Sequence, residues 1–95
     1  MPAYVIADSD VHDPEEYERY KAAVPATLEA AGGRFVARGG ETAVLEGDWQ
    51  PKRVVVIEFD DLDAAKRWYA STQYQEAKAL REAAANLNMI AVQGL

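Results

Sequence analysis

Between Arg53 and Phe59 apolar side chains fill both alternating sets of positions. Val55, Ile57 and Phe59 point one way; Val54 and Val56 point the other, on the side that also carries Glu58. A β-branched strand with two apolar faces needs cover on both sides. Tyr4 to Asp8 alternates and predicts a first strand. Asp10 to Asp13 is a polar exit. Asp13-Pro14-Glu15-Glu16 then predicts a helix start: Asp13 can cap, Pro14 suits the first helical position, and Glu16 stands where a capping box needs it. Tyr17, Tyr20, Val24, Leu28 and Ala31 form one apolar stripe at helical spacing. Pro25 removes a hydrogen bond to the Lys21 carbonyl, which predicts a kink or short break. Gly32-Gly33 supplies the left-handed stop.

Arg34 to Arg38 predicts a second strand, with a bulge or turn at Gly39-Gly40. Thr42 to Leu45 reads as extended, Glu46-Gly47-Asp48 as a turn, and the third strand begins at Arg53. Asp60 or Asp61 caps a helix over 62–70. Ser71-Thr72 interrupts it, and helix resumes over 73–85 with Tyr74, Ala77, Leu80 and Ala84 in register. Asn86 to Asn88 is an exit, and Met89 to Val92 the last strand. The order β-α-β-β-α-β is the split βαβ pattern of an α+β domain. Its crossovers place the helices on one face of an antiparallel sheet. The other face is then bare, which predicts sheet-on-sheet packing with a second copy.

Composition narrows the picture. The 95 residues make one domain, 1–95. A net charge of −6 repels phosphate backbones and argues against nucleic-acid binding. Neither a basic amphipathic face nor a spanning apolar run points to a membrane. The absence of cysteine excludes disulfides, thiolate metal sites and a cysteine nucleophile. Without a signal-peptide pattern after Met1, the expected location is cytoplasmic. No phosphate-cradling or triad motif is present, and no cofactor is expected.

Certain residues together resemble a known family. They include Tyr4 with Ile6, Asp13-Pro14, Tyr17, Tyr20, Gly32-Gly33, Phe35 and Arg38-Gly39-Gly40. Glu46-Gly47, Trp49, Pro51, Arg53, Glu58-Phe59, Trp68-Tyr69, Ser71, Tyr74 and Leu80-Arg81 continue the likeness through nearly the whole chain. The chain resembles an uncharacterised single-domain family, a domain of unknown function, in the dimeric α+β barrel superfamily. Thr72-Gln73 departs from it, where that family often carries Pro or Glu. The resemblance implies a ferredoxin-like protomer pairing sheet to sheet, and no activity. Wider relatives include cofactor-independent monooxygenases, lactone isomerases and haem enzymes, so chemistry carried from them is fold-level analogy.

Candidate chemistry centres on Glu58 and Arg38. A carboxylate in a central strand loses hydration, which disfavours its charged form unless an arginine holds it. Arg38 and Arg53 are the expected partners, and both are candidate ligand-binding residues. Glu58 is then either a general base in a cleft between sheet and helices, or half of a structural ion pair, the plainer account. Arg38 could clamp an anion bidentately, with glycines beside it allowing close approach. His12 belongs to a residue type that exchanges protons near neutral pH, and is a candidate proton carrier at the cleft rim. Asp8, Asp10 and His12 would share a face if the first strand continued, but a solvated loop explains them better than a metal site. The loop lacks an EF-hand glycine, and Asp60-Asp61-Asp63 reads as capping. Tyr20, Trp68 and Tyr69 are candidate pocket walls. Trp49, in a loop where helix packing does not account for it, is a candidate dimer anchor with Val54 and Val56. The expected function is a homodimeric binder of a small anionic or aromatic metabolite. The alternative is a cofactor-independent monooxygenase or isomerase, with Glu58 or His12 as base and Arg38 as clamp.

Overall fold

In the computed structural model, which describes residues 1–95, three side-chain caps set the helix starts. Asp13 accepts from the Glu16 amide and opens helix α1, Pro14–Ala31. Asp61 accepts from the Ala64 amide and opens α2, Leu62–Ala70. Ser71 accepts from the Tyr74 amide and opens α3, Thr72–Arg81. Each oxygen satisfies an amide that lacks an intrahelical partner. Gly32 closes α1 with φ 74, the left-handed backbone that an L side chain resists.

The strands are β1 (Ala3–Val11), β2 (Arg34–Arg38), β3 (Val54–Phe59) and β4 (Ala85–Gln93). They form one sheet in the order β2-β3-β1-β4, every pair antiparallel. The helix-covered face carries Val5, Ala7, Ser9, Val55, Ile57 and Phe59, all buried. Against them pack Tyr17, Tyr20, Val24 and Leu28 of α1, Trp68 of α2 and Tyr74 of α3. The opposite face carries Tyr4, Ile6, Val54, Val56, Ile90 and Val92, registered across β3, β1 and β4. No helix lies on it.

Five local expectations are corrected. α1 runs through Pro25 unbroken, because the freed Lys21 carbonyl accepts a hydrogen bond from the Arg38 guanidinium at 2.9 Å instead. β1 continues past Asp8 to Val11, and β4 begins at Ala85 rather than Met89. The two extensions pair with each other, Val11 with Ala85 and Ser9 with Leu87. Thr42 to Leu45 forms no strand; it belongs to a long connection between β2 and β3. The bulge falls inside β2, between Phe35 and Ala37, ahead of Gly39-Gly40.

Candidate functional site

The β2 bulge decides what the site contains. In an unbroken strand Arg38 would share a face with Arg34, away from the helices. The extra residue reverses this. Phe35 pairs with Ile57 and Arg38 with Val55, both on the covered face, whereas Arg34 pairs with Glu58. Arg38 therefore reaches the edge of α1. Its guanidinium lies 4.3 Å from the centroid of the Phe35 ring. Its bond to Lys21 O fixes the far end of the side chain.

Arg53 arrives from the other side of the same opening. It donates to the Tyr17 phenol at 3.3 Å, and Tyr17 donates to Ser9 Oγ at 3.1 Å. Gly39 lets the two arginines lie side by side: φ is 72, and a Cβ there would come within 2.9 Å of Arg53 Nε. Lys21 completes the rim. The opening, lined by Glu18, Lys21, Ala22, Arg38 and Arg53, holds about 370 Å³. Below it the space between α1 and the sheet narrows to about 30 Å³, room for roughly one water. Tyr17, Tyr20, Phe35 and Trp68 are its aromatic walls.

The charges at this rim are unequal. The ion pairs of the fold are Arg19–Glu16, Lys21–Glu18 and Arg34–Glu58. Arg38 and Arg53 have no carboxylate partner in a chain of net charge −6. Two planar donor forks beside aromatic faces suit a carboxylate or phosphate on a flat or apolar body. Tyr20 shares a 3.0 Å hydrogen bond with the Tyr74 phenol. Burial, reinforced by Tyr74, pushes Tyr20 above the ordinary phenol range. It remains a neutral hydrogen-bonding group and does not serve as a base.

Other candidates fall elsewhere. Glu58 is not in the cleft. It lies on the open face and pairs with Arg34 at 3.0 Å, not with Arg38 or Arg53. The bulge and the odd–even alternation of β3 together separate it from both. His12 sits where β1 hands over to α1. Its amide donates to Ala84 O and its Nε2 lies 3.0 Å from Asn86 Nδ2, outside the cleft. Asp8, Asp10 and His12 do not converge, and no group of three metal-ligating side chains forms. Trp68 is 1% exposed and donates to Thr27 Oγ1. Tyr69 lies beyond Trp68, on the wall of a second opening toward β4. Val54 and Val56 are half-buried on the open face. Trp49 is 63% exposed and lies beside Ile6 and Ile90 of that face.

Asp8 holds the connection that carries Trp49 and Arg53. Its carboxylate accepts from Trp49 Nε1 at 3.1 Å, the Lys52 amide at 2.9 Å and the Arg53 amide at 3.2 Å. Desolvation would raise this carboxyl, but the three donors outweigh it and hold it below its ordinary value. Sequence reasoning missed Ser9 and Lys21 as parts of the site. Lys21 follows Tyr17 by one helical turn, so their shared edge was readable. The bulge that brings Arg38 to them was not.

An antiparallel β2-β3-β1-β4 sheet with helices packed on one face defines a ferredoxin-like α+β protein. The chain belongs to the family described as domain of unknown function DUF1330, whose model matches residues 2–95. No curated protein matches its sequence. Among solved structures it is similar to a protein of unknown function from Rhodopseudomonas palustris, with 22% identity over 99% of this chain and 82% of that one, TM-score 0.76. SnoaB, a cofactor-independent oxygenase from Streptomyces nogalater, is 21% identical over 99% of this chain and 93% of its own, TM-score 0.71. A dimeric ferredoxin-like protein of unknown function from Thermobifida fusca is 17% identical over 99% and 92%, TM-score 0.67. These likenesses share the fold. No helix is long and apolar enough to cross a membrane.

Proposed function

We propose that this chain is a homodimeric binding protein for a small anion with an aromatic or apolar body, held at the Arg38–Arg53 opening. The single observation that supports it most is the pair of unneutralised guanidinium groups beside Phe35 and Tyr17. The anionic head meets the two arginines and Lys21, and the body lies against the aromatic rings at the mouth. Pairing is supported by the open face, where Ile6, Val56 and Ile90 register side by side. It is supported as well by dimeric relatives of the same fold.

Benzoate is a suitable probe. Calorimetry on wild type, Arg38→Gln and Arg53→Gln should show at least a tenfold loss of affinity in each variant. That corresponds to losing a charge-assisted hydrogen bond of about 1.5–3 kcal/mol. Equal binding by all three proteins would overturn the reading.

Oxygenation without a cofactor is the second reading, supported by the SnoaB fold. Glu58 and His12 lie outside the cleft, so neither is a base for it. Tyr17, joined to Arg53 and Ser9, is the proton-carrying group at hand. Oxygen uptake with electron-rich phenols that disappears in Tyr17→Phe would favour this reading; no uptake would remove it.

A further inference from the structure

Arg81 is 8% exposed, the one charged residue in the buried set. It forms no ion pair, and its Nε is buried without a hydrogen-bond partner. Isolated buried charge is costly, so folds keep it paired or neutral. Its position in the last turn of α3 suits the helix dipole, but the half-buried Lys78 supplies a cation there without full burial. The phenols behind it are no counter-ion. Tyr20 and Tyr74 share one hydrogen bond, and burial keeps Tyr20 protonated. Burial alone would lower the guanidinium, but the nearby Tyr74 and Tyr20 oxygens more than offset this, so the cation persists.

Arg81 lines the second opening, between α2, α3 and β4. This space holds about 470 Å³, within the range of small-molecule sites. Eight of its ten lining residues are hydrophobic, and the charged ones are Arg81 and Lys66, both cations. Trp68, Leu87 and Met89 separate it from the first cleft and face both. Tyr69 forms part of its rim, its ring 6.4 Å from Trp68 and 5.3 Å from Tyr74, centroid to centroid.

We infer that this opening is a second binding site, taking a small apolar carboxylate whose head pairs with Arg81 and whose body lies along Trp68, Leu87 and Met89. The ligand supplies the missing counter-charge. Lys66, exposed at the rim, draws the anion in, and the apolar walls reject hydrophilic acids. This site is distinct from the Arg38–Arg53 opening and stands or falls separately.

Octanoate and octan-1-ol test it as a charged and uncharged pair. Wild type should bind octanoate at least tenfold more tightly than the alcohol. In Arg81→Met that preference should vanish, and thermal stability without ligand should be unchanged or raised, since the unpaired charge is gone. Both ligands are compared with Arg38→Gln and Arg53→Gln also present in the unsubstituted and the Arg81→Met protein, because the Arg38–Arg53 opening would itself take an apolar carboxylate; the two sites are then read separately. If Arg81→Met does not fold, the Nε–H resonance of wild-type Arg81, assigned by its loss in Arg81→Lys, gives the second readout. Octanoate should shift it and the alcohol should not. No octanoate binding by wild type, equal binding by a folded Arg81→Met, or an unmoved Nε–H resonance would overturn the proposal.

Discussion

The two faces of the sheet are built from the same strands and do opposite things. Val55, Ile57 and Phe59 of β3 are buried beneath the helices, whereas Val54, Val56 and Glu58 stay half-buried on the bare side. The covered face has a finished core: Trp68 packs 5.4 Å from Phe59 and 4.2 Å from Tyr74, centroid to centroid. The open face also carries apolar side chains, Ile6, Val54, Val56, Ile90 and Val92, but no helix covers it. Ile90 is 62% exposed. Similar side chains thus carry different energies. On the covered face they hold the protomer together and wall its clefts. On the open face their burial waits for another surface, so their contribution belongs to assembly.

The largest effect that sharpens this contrast is expected in the covered face. Trp68→Ala should destabilise the protomer by about 3–5 kcal/mol, since it removes a buried ring and leaves a cavity. Denaturant unfolding at fixed protein concentration measures it. A loss below about 1 kcal/mol would mean that the covered core is not the stabilising face.

Next is the open face. Val56→Asp should abolish self-association while leaving the far-ultraviolet dichroism of the protomer intact. Trp49→Ala should weaken it by about 2 kcal/mol if the indole is an anchor. Sedimentation profiles that match wild type in both variants would break the comparison. Smaller still is Pro25→Ala. It returns an amide to α1 and lets Lys21 O bond within the helix, which releases Arg38. Benzoate affinity should fall a fewfold, near the ~1 kcal/mol of one hydrogen bond, with no loss of stability. Undiminished affinity would show that the Lys21 tether does not position Arg38.

The smallest effect concerns Asp8. A carboxyl held below its ordinary value of 3.8 contributes fully above that pH and loses its contribution as pH falls through the depressed value. Trp49 should therefore stay docked in mild acid and be released only in stronger acid. Asp8→Asn should loosen it already at neutral pH. Trp49 fluorescence in a Trp68→Phe background follows both. Release of Trp49 well above pH 4 in the Asp8 protein would contradict this account.

Sequence pattern exposed the covered face more clearly than the site. Asp13, Asp61 and Ser71 cap helices through local chemistry, and the alternation in β3 sorts its side chains correctly. The Arg38 environment depends on a bulge at Val36, where neither glycine nor proline marks the backbone. The expected pairing of Glu58 with Arg38 or Arg53 failed because the strand register sets Arg34 directly opposite Glu58. The start of β4 was hidden because the alanines at 83–85 suit a helix, although Ala85, Leu87 and Met89 already alternate. Arg81 follows Tyr74 and Ala77 at helical spacing, so its buried position was in the pattern. Its charge diverted attention to Leu80, which is only half-buried.

The separation of the two faces is tested most directly by titrating benzoate into Val56→Asp beside wild type, with sedimentation run on the same samples. Val56→Asp should be a folded monomer that binds benzoate with wild-type affinity, because the Arg38–Arg53 opening lies within one protomer. A folded monomer that has lost benzoate, or a variant that remains paired, would contradict it.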